Sequence, residues 1–225
     1  MRAPISVIVT TLNAAEQLPA CLNALMEGLE AGLIRELIVS DGGSEDSTGA
    51  IAQAWGAEVL HGPASRGGQL RRACAEVKAD WLLVLHADTV LQPGWTKAIK
   101  GHLLKPDRAG WFRLKFDRGG PAARLVAGWA NLRSRFGLPY GDQGLLISNA
   151  LYHRVGGYPD QPLMEDVAMS RALKGRLDRI DATAVTSAEK YARQGWTRRG
   201  MKNLWCLLRY LTGADTAALA ASYRR

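Results

Sequence analysis

The sequence has few cysteines and no long hydrophobic run. Its three cysteines, Cys21, Cys74 and Cys206, are far apart and have neither the spacing of a disulfide framework nor that of a zinc site. No stretch reaches the roughly 20 apolar residues that a membrane-spanning helix requires. The first residues also lack the apolar core of a signal peptide. We therefore expect a protein of the cytoplasm, where thiols stay reduced.

Acidic residues are outnumbered by basic ones. The 225 residues include 21 Asp and Glu against 29 Lys and Arg, which gives a formal net charge of +8. Such a surplus attracts nucleic acids, phosphorylated substrates and acidic membranes alike. An ordinary solvated surface accounts for it equally well. The charge by itself therefore selects no partner.

The first half of the sequence alternates between strand-like and helix-like segments. Short apolar or β-branched runs predict strands at residues 5–11, 36–40, 57–60 and 81–85, and helical patterns predict helices over about 15–29, 44–55 and 68–78. This alternation is typical of βαβ units. We therefore predict an α/β, Rossmann-like fold with a mostly parallel, twisted sheet flanked by helices.

The second half is less regular. It contains predicted strands at 111–116 and 183–187, and predicted helices at 122–136, 167–174 and 196–211. The last helix is amphipathic, and we expect it to pack through an apolar face that comprises Trp196, Gly200, Leu204, Leu208 and Leu211. No internal repeat, low-complexity segment or linker interrupts the chain. We therefore predict one domain over residues 1–225.

Polar side chains follow each of the first four predicted strands. They are Thr10, Thr11, Asn13 and Glu16 after the first, Asp41 after the second, Arg66 and Gln69 after the third, and His86, Asp88 and Thr89 after the fourth. In an open α/β sheet, ligands bind outside the carboxyl ends of the strands. Four groups that converge there predict a binding site.

Each group also has an ordinary structural interpretation. Asp41 precedes two glycines and suits a contact to a nucleobase or ribose, but it suits a turn or helix cap equally. Asp88 offers a carboxylate to a divalent cation on a diphosphate; alternatively, His86 packs and Asp88 caps a helix. Arg66 precedes a helix start, where phosphate binds well, although an exposed loop arginine is the simpler interpretation of that residue alone.

Adjacent carboxylates, Glu165 and Asp166, precede another predicted helix. They can simply offset the helix dipole. In a cleft, one of them can instead take a proton from an incoming hydroxyl while the other orients it.

Six segments stand in the order and spacing of a known family. They are ISVIVTTLNAAEQL, ELIVSDGGSEDST, RGGQLRRA, LLVLHADT, GDQGLLIS and LMEDVAMSRAL. Over roughly residues 4–175 they resemble the family 2 glycosyltransferases of the GT-A fold. The His-Ala-Asp and Gly-Asp-Gln segments, with the end of the chain, are most similar to a bacterial subgroup associated with radical-SAM or selenium-related gene neighbourhoods.

The resemblance implies a role for each matching residue. Residues 1–105 would hold the donor nucleotide and 106–225 the acceptor and catalytic groups. The nucleotide-binding residues would be Thr10, Leu12, Glu16, Asp41, Arg66 and Gln69. Asp88, with His86, would bind Mn²⁺ or Mg²⁺. Asp142 and Gln143 would contact the sugar or the acceptor. Asp166 would be the catalytic base, with Glu165 as the next candidate.

Two residues depart from the family pattern. His86 replaces the usual first acid of the metal motif, and Leu12 stands where many relatives have an aromatic residue. A neutral imidazole can still bind a metal or sugar hydroxyls. The nucleobase of the donor, uridine or guanosine, is left open by Leu12.

The resemblance implies transfer of a sugar from a nucleoside diphosphate to an acceptor that the sequence does not identify, with inversion at the anomeric carbon. A sugar-nucleotide pyrophosphorylase would need a glycine-rich basic loop after the first strand, and this loop contains no Lys or Arg. A nucleic-acid-binding module is disfavoured by the acids at the strand ends, so we expect no nucleic-acid partner. A nucleotide-binding protein without transferase activity is the remaining alternative, because of His86.

The C-terminal segment 190–210 contains six Lys or Arg and no Asp or Glu. We expect the helix to be an ordinary packed one with a solvated basic side. We expect Lys190, together with Arg193, to reach the donor diphosphate. Glu189 stands where the resemblance implies another base. A peripheral membrane contact is the alternative, because a basic amphipathic helix can lie on anionic lipid. The apolar face of this helix cannot serve both core and lipid.

Overall fold

A computed structural model describes residues 2–224. The strands are β1 (Ile5–Thr11), β2 (Ile34–Asp41), β3 (Glu58–His61), β4 (Trp81–His86), β5 (Thr89–Leu91), β6 (Ala109–Phe116), β7 (Leu145–Ser148) and β8 (Leu177–Thr186). The helices are α1 (Leu18–Glu30), α2 (Thr48–Ala54), α3 (Arg66–Ala75), α4 (Trp95–Lys100), α5 (Pro121–Arg135), α6 (Asn149–Arg154), α7 (Glu165–Ala172), α8 (Glu189–Gln194), α9 (Trp196–Leu211) and α10 (Thr216–Arg224), with a 3-10 turn at Gly141–Gln143. No helix within 2–224 has the length and apolarity to cross a membrane.

The eight strands form one sheet in the order β3-β2-β1-β4-β7-β6-β8-β5. The first four are parallel, β7 is antiparallel to both of its neighbours, and β6 and β8 are parallel to each other. Strand–helix alternation through β4 agrees with the prediction. The α/β class predicted from the sequence is confirmed.

The topology brings six chain segments to one edge of the sheet. Because β7 runs antiparallel to β4, with Leu145 opposite Val84, the residues before β7 lie beyond the end of β4. Strands β6 and β8 also end at this edge, where Phe116 is opposite Thr186. Residues after β1, β2, β4, β6 and β8 therefore lie along the same edge as the 3-10 turn.

The sheet separates two hydrophobic layers. Val7 and Val9 of β1 pack on one face with Leu22 of α1. Ile8 lies on the other face, in the cluster that contains Leu70 of α3. Successive side chains of a strand point to opposite faces, so β1 is buried on both sides. This explains why Val7, Ile8 and Val9 follow one another without alternating polar residues.

Element boundaries differ from the predicted ones where side chains hold the backbone in loops. Helix α2 begins at Thr48 rather than near residue 44. Asp41 accepts hydrogen bonds from the backbone N–H groups of Gly43 and Ser44, and Asp46 accepts one from Thr48. These bonds keep residues 43–47 outside the helix. The prediction contained no counterpart of the short elements β5, α4, β7, α6, α8 and α10.

Trp196 of the predicted packing face of α9 does pack against buried residues, but Leu204, Leu208 and Leu211 of that face are exposed. The helix is buried through Cys206 and Leu207, which pack in a cluster with Leu219 of α10. Leu204 and Leu208, which we expected in the core, are 37% and 46% exposed. The apolar arc of α9 is wider than its contact with the protein, and only one flank of that arc is covered.

Candidate functional site

Two adjoining cavities lie at the edge where the strands end. The strand-end cavity, of about 650 Å³, is bordered by residues 10–14, which form the end of β1 and the start of the following loop, and by the start of α3. The carboxylate cavity, of about 120 Å³, contains Asp88, Asp142 and Asp166 in its wall. Seven residues are shared between the walls of the two cavities: Arg66, His86, Asp88, Leu163, Ser187, Lys190 and Tyr223.

Arg66 is the first residue of α3, and Ser65 caps this helix by accepting a hydrogen bond from Gly68 N–H at 3.3 Å. Desolvation by the surrounding chain lowers the pKa of Arg66, but the carboxylates of Glu165 and Asp166 outweigh it, and the net shift is upward. The guanidinium therefore stays charged beside a helix N-terminus. This combination suits an anion such as phosphate.

The start of α3 is also in direct contact with the loop that leads to α7. The N–H of Gly67 donates to the carbonyl of Gln161 at 3.0 Å. A Cβ at position 67 would lie only 2.1 Å from the carbonyl oxygen of Pro159. Only glycine fits this junction, which joins the first half of the chain to the second.

His86 lies between the two cavities, against the 3-10 turn. A Cβ on Gly141 would be 2.4 Å from its Nε2, so glycine at 141 makes room for the ring. Burial lowers the pKa of His86; Asp88 opposes this effect and Arg66 reinforces it. The imidazole is therefore neutral at pH 7 and can accept a hydrogen bond or bind a metal.

The residues around Asp88 fit a metal ion that a diphosphate helps to hold. Within residues 2–224, no group of three His, Cys, Asp or Glu side chains could hold an ion by itself. Mg²⁺ in phosphate-binding sites is usually held by one or two carboxylates together with substrate phosphates. Asp88 and His86, on the wall of both cavities, supply a donor set of that size.

Asp142 presents a carboxylate that the protein does not fully satisfy. Its Oδ1 is buried and has no hydrogen-bond partner among the described residues. Burial raises the pKa of Asp142 to about 6, while Arg133 opposes the shift and Asp166 adds to it. A buried polar atom without a partner is costly, so this oxygen is available to a bound ligand.

Asp166 faces the carboxylate cavity and is fixed in orientation. Its Oδ2 accepts a hydrogen bond from Gly141 N–H at 2.9 Å, and its Oδ1 accepts one from Val167 N–H at 2.7 Å. Met164, two residues earlier, has the left-handed conformation with φ of 65°. Such strain in a non-glycine residue is concentrated at functional sites.

Glu165 has a different environment from its neighbour. It is buried and lines neither cavity, and its Oε2 has no partner among the described residues. Burial and the adjacent Asp166 raise the pKa of Glu165 to about 7, although Arg66 opposes the shift. The two adjacent carboxylates therefore have different positions: Asp166 lines the carboxylate cavity, and Glu165 is buried behind it.

The profile of one protein family matches residues 6–154, about two thirds of the chain: glycosyl transferase family 2. The chain belongs to glycosyl transferase family 2. It is 32% identical over 145 residues to a TPR repeat-containing protein of Synechococcus elongatus. These residues are 61% of this chain and 34% of that relative, so the chain spans about a third of the relative's length.

Solved structures share the fold of this family 2 chain. The structure of Staphylococcus aureus TarS 1-349 in complex with UDP-GlcNAc matches with a TM-score of 0.62 and 17% identity, over 82% of this chain and 58% of that one. Glucosyl-3-phosphoglycerate synthase from Mycobacterium tuberculosis, in complex with Mn²⁺, UDP and phosphoglyceric acid, matches with a TM-score of 0.61 and 20% identity, over 94% and 79%. The predicted GT-A fold is confirmed.

Two of the residues expected to bind the nucleotide, Asp41 and Gln69, hold the loops together. Asp41 is 2% exposed and accepts hydrogen bonds from Thr11 and Ser44. Burial raises its pKa, but these hydrogen bonds outweigh burial, and the net shift is downward. The amide of Gln69 donates to the carbonyls of Thr11 and Ser40 at 2.8 and 2.9 Å. Gln69, with Thr10 and Leu12, lines the strand-end cavity, whereas Asp41 and the exposed Glu16 do not.

Gln143, which we expected at the sugar or acceptor, lines neither the carboxylate cavity nor the strand-end cavity. It is fully buried, its Oε1 accepts from Ser134 at 2.6 Å, and its Nε2 donates to the carbonyl of Phe112 at 3.3 Å. These bonds tie the 3-10 turn to α5 and β6. Within the Gly-Asp-Gln segment, Asp142 lines the carboxylate cavity, and Gln143 holds the turn in place through its hydrogen bonds.

The second half of the family 2 chain adds four polar side chains that the sequence did not single out as a site. The hydroxyl of Tyr223 accepts from Arg199 at 2.5 Å and donates to Asn203 at 2.7 Å, and Asn203 donates to Tyr191 at 2.9 Å. All four line the carboxylate cavity, and Lys190 lines it with them. Arg199 and Lys190 belong to the basic segment noted in the sequence; nothing in the sequence indicated Tyr223.

Proposed function

We propose that this family 2 chain transfers a sugar from a nucleoside diphosphate to an acceptor hydroxyl. One observation carries the proposal: Asp88 and His86, which we propose as metal ligands, and the oriented carboxylate of Asp166 line one cavity that continues into the strand-end cavity. Family membership supports the same activity. In this proposal, donor and acceptor would occupy separate places on either side of Asp88.

The strand-end cavity would hold the nucleoside. Thr10 and Leu12 line it, and exposed apolar surface of Leu12 would pack against the base. Asp41 would contact the base only if the 42–44 loop released part of its carboxylate, because that loop now occupies both oxygens. Uridine or guanosine is the proposed base; the solved neighbours named above contain UDP or a UDP-sugar.

Cations at the junction of the cavities would hold the diphosphate. Arg66 lies at the start of α3, and Lys190 lines both cavities from α8. Mn²⁺ or Mg²⁺, bound through Asp88 and His86, would neutralise charge on the diphosphate when present. Arg66 and Lys190 would stabilise the same charge from the protein side as the diphosphate leaves.

Asp166 would act as the base. In this proposal its free carboxylate lone pair takes the proton of the acceptor hydroxyl, the oxygen attacks the anomeric carbon, and the bond to the diphosphate breaks with inversion. Asp142, with its unpartnered oxygen, would hold a hydroxyl of the acceptor or sugar. Glu165 would support Asp166 from behind without touching substrate.

A donor-hydrolysis screen tests the proposal. The chain is incubated with UDP- and GDP-sugars in the presence of Mn²⁺, and free nucleoside diphosphate is measured; candidate acceptors are then added and products identified by mass spectrometry. Donor-dependent release that acceptors accelerate supports transferase activity. Nucleotide binding without release would favour a non-catalytic nucleotide-binding protein, and neither binding nor release would refute the donor site.

A further inference from the structure

Helix α9 carries an exposed apolar stripe. It comprises Met201, Leu204, Trp205, Leu208 and Leu211, spaced at helical intervals so that they share one side. Met201 is 67% and Trp205 is 64% exposed. A large apolar stripe that the protein leaves uncovered marks an interaction surface.

Helix α5 carries a second stripe of the same kind. Leu125, Trp129, Leu132 and, at the helix end, Phe136 recur at intervals of three to four residues. All four are exposed, Phe136 and Leu125 by about three quarters or more of their surface. The buried side of α5, through Ala123 and Ala130, is on the opposite face.

The two helices lie side by side. Near their N-termini, Val126 of α5 packs in the same cluster as Trp196 of α9. Near their C-termini, Phe136 and Leu211 line one surface cavity. The helices therefore run in the same direction, and we call their two exposed stripes together the α5–α9 face.

Charge on these helices has one sign. Together they carry seven Lys or Arg and no Asp or Glu, while the whole chain has a net charge of +8. Arg124, Arg135 and Arg198 are exposed beside the stripes. Among the described residues, no cation of either helix forms an ion pair. The edges of the α5–α9 face therefore carry the exposed cations Arg124, Arg135 and Arg198, whereas Arg199 of the same helix lines the carboxylate cavity.

We propose that the α5–α9 face docks on an anionic lipid bilayer surface. Helices that lie in a membrane interface combine an apolar side, aromatic residues and a flanking row of cations. The cations gain attraction to anionic headgroups, and tryptophans suit the boundary between acyl chains and headgroups. A protein partner with an apolar surface would not require this one-signed rim, and a second copy would bring like charges together.

Docking would place the carboxylate cavity next to the bilayer. Helix α9 presents Leu204 and Trp205 outward and supplies Arg199 and Asn203 to the cavity wall. The cavity and the lipid would then be separated by about one helix diameter, roughly 10 Å. This inference does not depend on the proposed transferase activity.

Vesicle sedimentation tests the docking. We expect the chain to sediment with vesicles of phosphatidylcholine containing about one-third phosphatidylglycerol, weakly with phosphatidylcholine alone, and less as salt increases. The double variant Trp129→Ala/Trp205→Ala should lower the partition coefficient at least about tenfold. Trp55→Ala, which removes a partly exposed tryptophan next to α2, is the matched control and should bind as the wild type does.

Charge variants and self-association complete the test. Arg124→Gln/Arg198→Gln should weaken binding, whereas Lys97→Gln/Lys100→Gln removes the same charge from α4 and should not. Thermal melts check that each variant is folded. No binding to anionic vesicles, or equal losses in the two charge pairs, would overturn the proposal. A stable dimer in sedimentation velocity that Trp129→Ala/Trp205→Ala dissociates would assign the face to a second copy and would also overturn it.

Discussion

The backbone N–H of Gly141 donates a hydrogen bond of 2.9 Å to Oδ2 of Asp166. Gly141 belongs to the turn before β7 and Asp166 to the first turn of α7, so this bond joins two segments 25 residues apart. Position 141 also has no room for a Cβ beside His86. One small residue therefore positions both the carboxylate proposed as base and the imidazole proposed as metal ligand.

Asp166→Asn should separate binding from chemistry. The amide keeps an oxygen for Gly141 N–H but cannot accept a proton from a hydroxyl, so turnover should fall by about 10²-fold or more. Nucleotide affinity, measured by calorimetry, should stay nearly unchanged. Glu165→Gln is the control and should cost less, because Glu165 is buried away from both cavities. Full turnover in Asp166→Asn would remove this residue from the base role.

Gly141→Ala should destabilise the protein by about 1–3 kcal/mol, the usual cost of overpacking. Urea denaturation measures the free energy of unfolding. Because the added Cβ meets the His86 ring, the cost should shrink when Gly141→Ala is introduced into His86→Ala. Gly128→Ala on α5 meets open space and should be neutral or slightly stabilising. An unchanged cost in the His86→Ala background would show that the clash lies elsewhere.

Asp41→Asn should destabilise the 42–44 loop at neutral pH. Loss of charged hydrogen bonds to buried groups typically costs about 1–3 kcal/mol. The folded-state pKa of Asp41 is lowered, so its contribution is present above the unfolded value of about 4 and is lost as pH falls through the folded value. Wild type and variant should therefore converge in acid. Exposed Asp181→Asn is the control, and a difference that persisted at low pH would contradict the charge-based explanation.

Asp88→Asn should weaken nucleotide binding only when metal is present. In Mn²⁺ the dissociation constant for UDP or GDP should rise by at least about tenfold, equivalent to roughly 1.4 kcal/mol. With a chelator, variant and wild type should bind alike. His86→Ala should have a smaller effect, and Asp80→Asn, just before the opposite end of β4, should have none. Mn²⁺ alone should bind weakly, since no three candidate ligands converge in residues 2–224.

The first half of the fold could be predicted from local sequence because each segment has one strong signal. The run 81–85 is apolar without interruption, and the run 5–11 is rich in β-branched residues, as is typical of buried parallel strands. Because residues after the strands of such a sheet meet at one edge, the sequence also predicts that Arg66, His86 and Asp88 lie close together. Strand β7 has only four residues, and the helix α6 that follows it directly has only six, so the local sequence signal of both elements is weak.

The predictions are wrong where contacts between distant segments determine which side chains are buried and where they point. The apolar arc of α9 is wider than one contact face, so the sequence could not indicate that Cys206 and Leu207 are covered while Leu208 is not. Gln143 stands in a motif beside Asp142, yet neighbouring residues of a turn point in different directions. Tyr223 reaches the cavity from α10, through packing that no pattern of its own helix indicates.

The contact of Gly67 with residues 159–161 limits how the chain can be recombined with its relatives. A chimera that takes residues 106–225 from another parent would press a foreign loop against a helix start with no spare space, since even a methyl group would lie 2.1 Å from Pro159 O. The loop and the first turn of α3 must therefore be inherited together. Crossover points that keep both from one parent should give folded hybrids far more often than a cut between the two halves.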